Sequence, residues 1–100
     1  MAFDPPYNKT TSFEGTIAQT NVPQLIGQIG AGYHGFLVMN LSLGSHNMAI
    51  SWHHQSFAIG DPGTYTLLPA GSFTSPVQFC PIGDYYIVGT AGDSYSMDIY

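Results

Sequence analysis

A chain of 100 residues, 44% of them hydrophobic and 14% aromatic, has the material for one hydrophobic core and one domain. Only 7% of the residues are charged, and a single base, Lys9, stands against six acids for a formal net charge of -5. Such a surface repels phosphate backbones and anionic lipid, which excludes nucleic acid and membrane as partners. It also lacks the repulsion that keeps monomers apart, a composition that favours burial in an assembly.

The first thirty residues are interrupted by Pro5-Pro6, Thr10-Thr11-Ser12 and Asn21-Val22-Pro23. Only Phe13 to Ala18 is strand-like, and Leu25, Ile26 and Ile29 among their glycines are too brief a run for periodicity to decide. Residues 1–30 are therefore predicted to form an extended N-terminal arm with one short strand, ordered by a neighbour. Residues 31–100 are predicted to form an antiparallel β-sandwich.

From Phe36 the chain breaks into short alternating runs separated by Gly, Pro, Asp and Ser clusters, the spacing of an antiparallel sandwich. Leu37, Met39 and Leu41 share one side of the first run; Met48, Ile50 and Trp52 share one side of the second, with Ala49, Ser51 and His53 opposite. Gly60-Asp61-Pro62-Gly63 supplies positive-φ residues around a fixed-φ proline and predicts a turn. Thr64 to Leu68 follows as a strand, and Pro76, which cannot donate a ladder hydrogen bond, pushes the run Phe73 to Phe79 toward a sheet edge or a bulge. Tyr85 to Val88 and Ser94 to Tyr100, joined by Thr90-Ala91-Gly92-Asp93, predict a terminal hairpin in which Tyr95, Met97 and Ile99 alternate with Ser96 and Asp98.

Little in this chain points to chemistry. His53 and His54 are neighbours, and neighbours in a strand face opposite ways, so a metal would need His34 or His46 brought in by loop folding. Asp61, Asp84 and Asp93 sit at turns, where a short acceptor serves nearby backbone N–H groups. No nucleophile elbow, phosphate-binding glycine loop or converging pair of acids is present. We expect no enzyme, no cofactor and no metal site. Cys80, the single cysteine, permits no internal disulfide and is expected to be a small core residue. No secretion signal or membrane span is visible, so the glycosylation sequons at Asn8 and Asn40 are taken as chance matches and the protein as made in the cytosol.

Seven tyrosines suit packing with a polar handle at an interface. Trp52, Phe36, Tyr65 and Tyr95 are expected in the core. The interface candidates are Pro5, Pro6, Tyr7 and Phe13 on the arm, and Tyr86 and Tyr100 on outer strand faces.

An ordered series resembles the small decoration, or cement, proteins of tailed bacteriophage capsids. It comprises Phe36-Leu37-Val38-Met39-Asn40, Ile50-Ser51-Trp52, Leu67-Leu68-Pro69-Ala70-Gly71-Ser72, Gly83-Asp84-Tyr85-Tyr86-Ile87-Val88-Gly89-Thr90-Ala91-Gly92 and a final alternating strand. The resemblance implies a jelly-roll-like sandwich on the outer surface of a virion head, made in the host cytoplasm. There it would bind the major capsid protein and itself, as a homotrimer, and stabilise the shell. Carbohydrate binding in a phage tail or fibre, through exposed Tyr or His53 and His54, is the alternative. A cupin-like metal site gathered from the four histidines is a third possibility.

Overall fold

The structure, a computed structural model, describes residues 10–52, 56–67, 72–73 and 78–100. Eight strands follow one another, with no helix among the described residues: β1 (Thr11–Thr16), β2 (Gln24–Ile29), β3 (Phe36–Asn40), β4 (Met48–Ser51), β5 (Tyr65–Leu67), β6 (Ser72–Phe73), β7 (Gly83–Val88) and β8 (Ser94–Ile99). They form two four-stranded sheets, β1-β8-β3-β6 and β2-β7-β4-β5, and every pairing is antiparallel. β1 lies beside β8, β2 beside β7, β3 beside β6 and β4 beside β5. That nesting is one long hairpin, bent between β4 and β5 and rolled into two sheets. It is the jelly roll, and the chain is an all-β sandwich of that kind.

The core is the set of inward residues that period-two alternation dictates. Tyr95, Met97 and Ile99 from β8 and Phe36 and Val38 from β3 meet Met48 and Ile50 from β4 and Tyr85 and Ile87 from β7. In β8 the outward set is Ser94, Ser96 and Asp98, as the alternation in sequence predicts. In β3 the sequence groups Leu37, Met39 and Leu41, but the fully buried set is Phe36, Val38 and Asn40. Phe-Leu-Val-Met is apolar on both parities, so composition alone does not choose. The ring contacts of Phe36 and the hydrogen bonds of Asn40 do.

β4 is buried on both faces. Met48 and Ile50 point into the core, while Ala49 is covered from outside by Phe57, with Val88 and Tyr86 beside it. The β4–β5 connection thus lays Phe57 across the second sheet, and hiding a ring of that size is worth about 1.5–3 kcal/mol. The predicted turn that follows is present. Gly60 and Gly63 have φ of +91° and +84°, the Asp61 carboxylate accepts from Ala58 N–H at 2.8 Å, and the Asp61 carbonyl accepts from Thr64 N–H at 3.2 Å.

Three expectations change. Residues 11–29 are not an arm: β1 and β2 are strands of the two sheets, paired with β8 and β7. β2 escaped the sequence pattern because a bulge between Leu25 and Gly27 shifts its register, so apolar residues do not alternate across it. Second, β7 and β8 are not a hairpin. They lie in different sheets, and residues 89–93 cross between the layers, bonded to the crossing from β1 to β2 through Asn21 N–H to Gly89 O and Gly92 N–H to Ile17 O, both 2.9 Å. Third, Asp84 lies within β7 opposite Gln28 rather than in a turn. Of the run Phe73 to Phe79 only Phe73 lies in β6; residues 74–77, Pro76 among them, lie outside the described residues, as do residues 1–9.

Candidate functional site

Among the described residues no cleft gathers reactive groups, so the candidate site is the surface: the two ends of the sandwich and its open edges. At one end, where β3 and β7 begin and β4 ends, the rings converge. Phe36 meets Trp52, Tyr65, Phe79 and Tyr85 with centroids 5.6–6.0 Å apart and interplanar angles of 67–89°, the edge-to-face geometry that aromatic quadrupoles favour. Below them Tyr85 donates its hydroxyl to the Pro81 carbonyl at 2.7 Å and lies 3.6 Å from the Cys80 sulfur. Burial pushes the Tyr85 hydroxyl and the Cys80 thiol above their ordinary ranges, and for Cys80 the hydrogen bond to Tyr85 pulls partly back. Phe79 and Ile82 leave 44% and 70% of their surface exposed beside this cluster.

The opposite end is fastened by polar groups. Asn40, fully buried, accepts from Ser42 N–H at 2.9 Å and donates to the His46 carbonyl at 2.6 Å. Ser42 Oγ in turn accepts from Gly44 N–H at 3.1 Å. His46 Nδ1 stands 2.8 Å from Asp93 Oδ2, tying this loop to the β7–β8 crossing. Asn and Ser side chains thereby serve backbone groups that a turn leaves without ladder partners. On the loop they hold, Leu43 is 101% exposed and Leu41 40%. A braced loop carrying a bare leucine is a pre-formed apolar knob.

The residues singled out in sequence are scattered. Pro5, Pro6 and Tyr7 lie outside the described residues, so the arm's contacts rest on sequence alone. Phe13 turns inward: its ring packs over Gly27, where an added Cβ would stand 2.6 Å from it, and it is partly buried against the core. Tyr86 is half-buried beside Phe57, Ala49 and Val88. Tyr100 extends the β8 ladder, exchanging backbone bonds of 2.8 and 2.9 Å with Gly35, and is half-buried. Trp52, Phe36, Tyr65 and Tyr95 pack in or against the core as expected, and Cys80 lies at its border.

His34 and His46 flank opposite ends of β3, roughly 20 Å apart by strand rise, which removes the site built from all four histidines; His53 and His54 lie outside the described residues. Among the described residues no group of three His, Cys, Asp or Glu is placed to hold a metal ion, and no helix is long and apolar enough to cross a membrane. The sequon asparagine Asn40 is buried and bonded, inaccessible to glycosylation in the folded chain. Leu43 and Ser42 were not singled out in sequence as site residues, and Asn40 only as a sequon and a strand end. The signal was available in Asn40-Leu41-Ser42-Leu43-Gly44-Ser45, turn-forming residues around leucines that a polar loop does not bury.

Comparison with known proteins gives a fold and no more. No family model and no curated protein matches the sequence. A solved structure described as "Bacillus endospore appendages form a novel family of disulfide-linked pili" superposes with a TM-score of 0.53 over 91% of this chain and 82% of that one, at 15% identity.

Proposed function

We propose that this chain is a structural subunit, a jelly roll whose work is to be packed among other protein subunits, and that its setting is the outer surface of a phage head, where it clamps neighbouring copies of the major capsid protein. The observation that carries this reading is the pairing of a charge-poor surface with apolar side chains displayed at both ends of the sandwich: Leu43 and Leu41 on one, Ile82 and Phe79 on the other. Exposed apolar groups on a rigid frame mark docking surfaces, and many modest contacts repeated over a lattice add up to strong retention. The choice of a capsid rests on the resemblance of residues 36–100 to decoration proteins. Self-association as trimers belongs to the same resemblance.

A second form of the same reading is a filament subunit, favoured by the shared fold with a chain from endospore pili. Disulfide links would not follow with it. Cys80 is the single cysteine, so each subunit could bridge to one other at most, which cannot link a chain of subunits. The test is co-sedimentation with heads that lack the protein, alongside electron microscopy of the purified chain. Saturable binding to heads supports decoration, and filaments without head binding support the second form. A chain that does neither and stays monomeric at high concentration overturns the assembly reading.

A further inference from the structure

β1 is an open edge of the first sheet, and its six residues pair with β8 without a break in register. β2, an edge of the other sheet, is interrupted by its bulge, a device that discourages strand addition. β1 has only Glu14 for that purpose.

The ladder fixes which backbone groups remain available. Ile17 bonds to Asp93 and Gly92 on the β8 side, so by antiparallel alternation Thr11, Phe13 and Gly15 also face β8, and Ser12, Glu14 and Thr16 turn their N–H and C=O to the open side. One end of that side is closed. The Gln24 side-chain amide donates to the Thr16 carbonyl at 3.0 Å and accepts from Ala18 N–H at 2.9 Å, standing where the peptide of a neighbouring strand would. Ser12 and Glu14 receive no such partner from the described residues.

We propose that this edge docks against the same edge of a second copy, antiparallel about a twofold axis through Phe13. Three observations fit that occupant. The twofold register sets Ser12 of one copy opposite Glu14 of the other, so neither carboxylate stands directly opposite its own kind, where like charges would repel, while the Ser12 hydroxyl keeps its bond to Asp98 at 2.7 Å. It also sets Thr11 of the second copy opposite Gly15, so the pairing from Thr11 to Gly15 lies short of Thr16, whose carbonyl the Gln24 amide already holds. The Phe13 ring already points inward onto Gly27, and nothing in the core must move. The two first sheets then form one continuous sheet of eight strands, twice the four of each.

This inference deepens the assembly reading and rests on it, and sedimentation equilibrium of the full chain tests it. Glu14→Pro removes an N–H that faces the open side, so the bonds to β8 survive and only strand addition is blocked. The assembled mass should fall by half while the thermal melt stays close to wild type. Ser12→Lys places a cation opposite Glu14 of the second copy and should tighten the contact about threefold. A wild-type chain with no self-association overturns the inference, and so does a Glu14→Pro chain that associates as tightly as wild type; the latter leaves the assembly reading intact and moves its contact elsewhere. If Glu14→Pro does not fold, Ser12→Lys decides, and unchanged association overturns the inference. An association sensitive to Glu14→Pro in a chain that neither binds heads nor forms filaments supports the edge and sinks only the proposed setting.

Discussion

The two ends of this sandwich are closed by different physics. At the end where β3 begins, five rings pack edge to face or tilted, around Phe36 and Trp52. At the other, the Asn40 and Ser42 side chains bind loop backbone, and His46 meets Asp93. Ring packing is non-directional and scales with buried area, whereas the amide bonds hold one loop geometry and are costly to leave half made. The aromatic end should therefore carry stability, and the polar end should carry shape, presenting Leu43 on a fixed loop.

Phe36→Ala strikes the aromatic end hardest. It removes the ring that four others contact, and the expected loss is about 3–5 kcal/mol in urea unfolding; a loss below about 1 kcal/mol would mean the remaining rings collapse into the space and the end is not closed as described. Asn40→Ala is next, at about 1–3 kcal/mol, because Ser42 N–H and the His46 carbonyl lose a buried partner. Amide exchange should quicken in residues 41–47 and not around Phe36. Equal quickening at both ends would erase the distinction.

Tyr85→Phe sharpens the contrast at the aromatic end, where the ring stays and the hydroxyl's bonds to the Pro81 carbonyl and the Cys80 sulfur are lost, for about 0.5–1.5 kcal/mol. The same group sets an alkaline limit. Burial first, then the hydrogen bond with Cys80, raises the Tyr85 hydroxyl above its ordinary 10.0, and burial raises Cys80 above 9.0. The folded state keeps protons that the unfolded chain releases, so this contribution is fully present below the unfolded values and is lost as pH rises beyond them. Thermal melts taken at increasing pH should decline above about pH 9, and less steeply in Tyr85→Phe; parallel curves for the two proteins would place the alkaline limit elsewhere. The smallest stability effect belongs to Leu43→Ser, within about 0.5 kcal/mol of wild type because the side chain touches nothing in its own chain. Its effect should appear in assembly, as weaker head binding or filament formation, and full assembly by this variant would dismiss the knob.

Much of the sandwich was legible before the fold. β8 is a clean alternation of large apolar and small polar residues, and it lies as that alternation requires. The turn at Gly60 to Gly63 is written in residues that tolerate positive φ. Where the pattern was ambiguous, long-range contacts decided. β2 hid behind its bulge, and β3 offered apolar residues on both faces, so its burial depended on what Phe36 and Asn40 met across the molecule. The surface was harder still. Gln24 closes one end of the β1 edge through contacts to Thr16 and Ala18, and nothing in its local sequence distinguishes it from any exposed glutamine.

By itself the sequence determined the class, because short alternating runs between turns make strands, and it determined a charge-poor composition of one base and six acids. The tertiary structure decided which strands are neighbours. Side-chain alternation is a local property, read two residues at a time, but pairing joins Thr11 to Ile99 and Gln24 to Ile87, a choice made by the common core that no single strand encodes. From that pairing alone come the layer crossing at residues 89–93, the open edge of β1, and the two unlike ends of the sandwich.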